Sequence, residues 1–155
     1  MKNKILSLIA GFLVSVSLTA CGEDPELTRF RNSIEDFCTE ISQIDTAINS
    51  IDASSENAVS ELLSCLDELE TAFQGFADLD FPDEFDYLEE IADEAGDYMS
   101  TAVSGYHEAY SADAYDQYTA AYAGENYSRA YKRVQIIITF LHGETPEDVD
   151  LQMEE

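Results

Sequence analysis

The chain has 155 residues, of which 33 are Asp or Glu and 7 are Lys or Arg, for a formal charge of −26. Nucleic-acid binding draws most of its affinity from Lys and Arg set against phosphates, so that class is excluded, and direct adhesion to anionic lipid headgroups is unfavourable for the same reason. Ile, Leu, Phe and Tyr recur in regular series, which argues against a disordered acidic chain.

A basic start at Lys2 and Lys4, an apolar core from Ile5 to Val16 and the small residues Thr19 and Ala20 precede Cys21. These are the three parts of a secretory signal. The apolar core is too short to span a bilayer, which takes about 20 residues. Leu18-Thr19-Ala20-Cys21 resembles the lipobox of bacterial lipoproteins, with an aliphatic residue three before the cysteine, a small one immediately before it, and the cysteine itself. The resemblance implies that the Cys21 sulfur receives a diacylglyceryl group with palmitate-type chains, that residues 1–20 are removed, and that the new amino terminus is open to acylation. It covers the signal alone and implies nothing about the fold. An ordinary cleaved signal with a free cysteine is the other reading. Two or three acyl chains hold a protein far more firmly than one, so the expected location is extracytoplasmic, anchored to the bacterial membrane through Cys21.

Loss of Lys2 and Lys4 with the signal leaves five basic residues against 33 acids, a charge of −28, and residues 32–128 contain no Lys or Arg. Such charge repels itself most in the compact state, so crowded carboxylates are expected to have raised pKa values and stability to fall as pH rises through their range. The expected organisation is a short tether at 21–25, one helical domain at 26–143 and an acidic tail at 144–155.

Leu27, Phe30, Ile34, Phe37, Ile41, Ile44, Ile48 and Ile51 alternate steps of three and four, which predicts a long helix with one apolar face. Val59, Leu62, Leu66, Leu69, Phe73 and Phe76 predict a second, with a turn and Ser N-cap in 52–57 between them. The stretch 78–85, "DLDFPDEF", is read as the end of that helix and the start of a third, Pro82 lying in its first turn. The third series, Phe85, Leu88, Ala92, Ala95, Met99, Ala102, Tyr106 and Ala109, is rich in small residues that suit close approach by a neighbour. A fourth segment capped by Ser111 or Asp113 runs to His142, with Gly143 and Pro146 as its stop. "VQIIITF" could be read as a strand, but it has no partner strand and is assigned to this helix. The fold class is therefore all-α, an up-down-up-down antiparallel bundle of four helices.

The fourth segment has a phase conflict. One continuous helix from Ala112 would bury Asp116 beneath exposed Tyr115, Tyr118 and Tyr122, which is unfavourable. A break or slip near Gly124 that turns the tyrosines inward is the favoured reading. An exposed tyrosine ladder suited to a glycan or peptide is the alternative.

Cys38 and Cys65 are equidistant from Ile51-Asp52, which places them at one level of the hairpin if the bend is centred there. A disulfide is the favoured expectation, although their heptad positions need not share a side, and two small buried thiols are the alternative.

Catalytic signatures are missing from the sequence. Neither His107 nor His142 has a glutamate three residues before it, as a di-iron bundle requires, and "HEAYS" lacks the second histidine of a zinc-protease helix. No nucleophile elbow, phosphate loop or C-x-x-C is present. His107 is expected on a helix surface and His142 at a helix C-terminus. Asp78, Asp80, Asp83, Glu84 and Asp86 are oxygen donors of the kind calcium prefers but lack EF-hand spacing, and are read first as a solvated turn. Arg129, Arg133, Ile136 and Phe140 fall on one line at steps of four, three and four, with Lys132 beside it, and form a candidate partner-binding stripe; the alternative is a half-buried line paired to neighbouring acids.

These features indicate a non-catalytic, lipid-anchored interaction module that meets an envelope protein and needs no cofactor. The second reading is a small receptor binding a cation, peptide or glycan for a transporter or sensor. A pocket walled by tyrosines would favour the receptor, and a solid core with an exposed apolar surface the module.

Overall fold

The computed structural model describes residues 24–111 and 115–143. The signal sequence, Cys21, Asp113, Pro146 and the tail lie outside the described residues. Within them the chain forms four helices, α1 (Pro25–Ser50), α2 (Ala58–Ala77), α3 (Glu89–Ser111) and α4 (Gln117–Leu141), and no strand. None of these helices is long and apolar enough to cross a membrane.

Local chemistry sets the boundaries. Asp24 accepts from the Glu26 amide at 2.9 Å and Pro25 occupies the first turn, so α1 starts there. In the α1–α2 connection the Asp52 carboxylate accepts from the Ser54 amide and hydroxyl. Asn57, rather than a serine, precedes α2 and makes no side-chain cap. α4 ends with His142 and with Gly143 at φ 73°, its amide donating to the Phe140 carbonyl, the left-handed stop predicted from the glycine.

The third helix begins later than predicted. Pro82 is buried in a turn closed by the Phe85 amide on the Pro82 carbonyl at 2.7 Å, and a 3-10 turn at Asp86–Leu88 precedes α3. The reason lies in Phe81, which is buried with its ring 4.8 Å from Phe30. This segment closes the base of the core before the chain turns helical.

Packing divides into two kinds. Between α1, α2 and α4 the core is aromatic: Phe37 stacks on Phe76 at 4.4 Å and meets Phe73 edge-on at 5.3 Å, while Phe73 meets Tyr131 at 5.3 Å. Around α3 it is built from small residues. A Cβ at Gly105 would lie 3.0 Å from the Ala123 Cβ, and one at Gly96 would lie 3.2 Å from the Ala77 Cβ. Ala92, Ala95, Met99, Ala102, Tyr106 and Ala109 are all buried, as their spacing predicts. The second series holds from Leu66 onward, whereas Val59 is exposed because α2 has only just begun there.

The pairings also fix the poles. Phe30 lies against Phe81 and Phe85, and Tyr87 meets Phe140. The entry of α1, the acidic turn and the exit of α4 thus share one pole. The α1–α2 connection and the start of α4 occupy the other.

Candidate functional site

α4 is a single unbroken helix, which overturns the predicted break near Gly124. Two observations explain it. Asp116 lies outside the helix as its N-cap, accepting from the Tyr118 amide at 2.9 Å and the Thr119 amide at 3.3 Å, so continuity buries no carboxylate. Gly124 makes room for a neighbour: a Cβ there would stand 3.3 Å from the Tyr106 hydroxyl. The tyrosines consequently face outward, Tyr115 at 53%, Tyr118 at 81% and Tyr122 at 55% exposure.

Tyr118 and Tyr122 are four residues apart and share one face of α4. Tyr115 leans on the half-buried Tyr110 of α3, ring centroids 5.2 Å apart. Glu108, Asp116 and Glu125, on the neighbouring stretches of α3 and α4, are exposed. The hydrogen bonds from Thr119 and Tyr118 hold the Asp116 carboxyl below its ordinary value. These tyrosines stand out from the bundle. A depression of about 420 Å³ between α1 and α2, lined by Glu40, Gln43, Ile44, Ala47, Glu68 and Thr71, is open to solvent.

The candidate stripe on α4 is largely covered, with Arg129 alone of its four residues exposed. Arg133 donates through Nε to Glu94 of α3, and the guanidinium carbons of Arg129 and Arg133 each stand 5.7 Å from the centre of the Tyr98 ring. Ile136 is only 3% exposed, and Phe140 is half-buried with its ring edge-on to Tyr87 at 5.9 Å. The four residues hold α4 to its surroundings. Their line was legible, and α3 and the segment before it cover part of that face.

Cys38 and Cys65 are both free thiols, so the favoured disulfide is overturned. The connection between the helices runs from Ile51 to Asn57, which moves the bend beyond the point midway between the cysteines. With Phe37 set against Phe73 and Phe76, Cys38 is level with residues near 74, and Cys65 lies roughly 10 to 15 Å away along α2. A disulfide needs Cα atoms within about 7 Å. Burial, then Glu35, pushes the Cys38 thiol up to about 11, and burial with Glu68 and Glu61 raises Cys65. Neither is an activated nucleophile.

The acidic turn residues Asp78, Asp80, Asp83, Glu84 and Asp86 are all exposed, and among the described residues no group of three or more His, Cys, Asp or Glu is placed to hold a metal ion. His107 bonds through Nε2 to the Asp67 carboxylate at 2.7 Å, and beside it the Ser100 hydroxyl donates to Glu70 at 2.6 Å, two ties between α2 and α3 that sequence reasoning missed. It also missed a polar layer in the core. Asp45 of α1 lies close enough to Tyr127 and Tyr131 to raise both phenols, although burial is the larger cause; Tyr127 is pushed up to about 12. Burial raises the Asp45 carboxyl itself, whereas hydrogen bonds from Ser54 lower Asp52. Desolvation, not crowding, is thus the cause of the upward shift at Asp45. No family model, no curated protein and no solved structure matches this chain.

Proposed function

We propose that the chain is a lipid-anchored extracytoplasmic module that binds a partner macromolecule at the cell envelope and turns over no substrate. The observation that carries this reading is the outward tyrosine surface of Tyr115, Tyr118 and Tyr122 at the pole opposite the entry of α1. The lipobox at Leu18–Cys21 puts the anchor just before that entry, and α4 spans roughly 37 Å, so the tyrosines stand well clear of the bilayer. Exposed aromatic clusters on a solid bundle suit an interface better than a ligand cavity. For this reason the module is preferred to the receptor.

Two experiments test the two halves. Cys21→Ala is expected to leave an uncut precursor or to release the protein from membrane; a variant that fractionates with membrane at the normal mature mass overturns the anchor. A photo-crosslinking residue at position 118 in intact cells is expected to give a discrete adduct that the same residue at exposed position 35 does not give. Identical or absent products from both positions overturn the interface.

A further inference from the structure

We infer that the partner of the tyrosine surface is a Lys- or Arg-rich protein segment, whose cations seat on the faces of Tyr118 and Tyr122. This rests on the interface reading above and names its chemistry.

The first support is the ring geometry. Tyr118 is the most exposed large hydrophobic residue described, Tyr122 shares its face, and neither ring has an aromatic partner among the described residues. A phenol ring offers a negative face to a cation, and the contact strengthens as water is excluded. The fold already uses this contact where it does have basic residues: Tyr98 receives both Arg129 and Arg133 at 5.7 Å.

The second support is complementarity of charge. No Lys or Arg occurs between residues 32 and 128, so the far halves of α1 and α3, the whole of α2 and the first turns of α4 contain none. Exposed Asp116 caps the helix two residues before Tyr118, and exposed Glu125 follows Tyr122 by three residues on the same helix. The first basic residue along α4 is Arg129, about two turns beyond Tyr122, and it is occupied on Tyr98. A cationic partner approaching this pole meets attraction and no competing cation, whereas an anionic one is repelled. A neutral glycan would use the rings but draw nothing from the charge around them.

The test uses the full-length chain in a neutral detergent and a fluorescent peptide of alternating Arg and Gly, with an alternating Glu and Gly peptide and a neutral β-linked glucose oligomer as comparators. The Arg peptide is expected to bind, and Tyr118→Ser with Tyr122→Ser to weaken it about tenfold at physiological ionic strength. Tyr118→Phe with Tyr122→Phe keeps the ring faces and is expected to stay within about twofold. Tyr87→Ser, at the opposite pole, is expected to change nothing. Equal affinity in wild type and the Ser variant would show attraction to diffuse charge and overturn the inference. So would tyrosine-dependent binding of the glucose oligomer without the peptide. If the peptide fails while position 118 still crosslinks in cells, the inference falls and the interface stands; if both fail, both fall.

Discussion

Gly105 and Ala123 bring α3 and α4 so close that a Cβ on Gly105 would lie 3.0 Å from the Ala123 Cβ and 3.6 Å from its Cα. A methyl group there meets the Ala123 methyl more tightly than ordinary contact and requires α4 to give by a few tenths of an ångström, at a cost of about 1–3 kcal/mol, against a helix-propensity gain of under about 1 kcal/mol. Gly75 on α2 has nothing within 4 Å of its Cβ position. Gly105→Ala is therefore expected to lower the melting temperature and Gly75→Ala to raise it by a few degrees. Calorimetry on the two variants checks the opposite signs, and a rise for both would mean that the α3–α4 approach is not tight.

Phe73 is fully buried and touches both Phe37 and Tyr131, so it joins α1, α2 and α4. Phe73→Ala is expected to cost about 3–5 kcal/mol, read as a fall in the urea midpoint. A cost below about 1 kcal/mol would be that of a surface position.

The α4 line separates core from surface. Ile136→Ser buries a hydroxyl and opens a void, and is expected to destabilise by about 2–4 kcal/mol. Tyr118→Ser, at 81% exposure, is expected to stay within about 0.5 kcal/mol. Thermal melts of both variants decide whether the outward face of α4 has been assigned correctly.

Alkaline pH should unfold the domain. Cys38 rises from 9.0 to about 11 and Tyr127 from 10.0 to about 12 on folding. The folded state keeps protons that the unfolded state has already lost. Their contribution is complete below pH 9 and disappears as pH climbs through about 11 and 12. Equilibrium unfolding between pH 8 and pH 12 is expected to show stability decreasing from about pH 9 upward. A flat profile would mean that neither group is buried as described.

Reductant should not change the melting temperature, because Cys38 and Cys65 are unbridged. A fall of several degrees on reduction would reveal a bridge that stabilises by about 3 kcal/mol.

The bundle was legible because its helices are amphipathic one by one: the Phe30–Ile44 face and the Leu88–Ala109 face were read from spacing and are buried. What failed depended on neighbours in space. Gly124 looked like a break, since nothing in its local sequence announces the Tyr106 hydroxyl that needs the room. The cysteines looked level, since the width of the Ile51–Asn57 connection, and with it the centre of the bend, is not encoded in helical period. The tyrosine surface was legible only as one of two alternatives, and the capping of α4 by Asp116 decided between them.

The opposition of the two poles has a mechanical consequence. The described chain enters at Asp24, and Tyr118 and Tyr122 lie near the start of α4 at the other end, so tension between an anchor and a bound partner runs along the helix axes. In that direction α1 must slide past its neighbours, because Phe30 is lodged against Phe81 in the segment after α2 and Phe37 against Phe73 and Phe76 of α2. A sideways pull would instead part these contacts one turn at a time. With the anchor and partner proposed above, the domain would be loaded in shear, the direction in which these interlocked rings resist together.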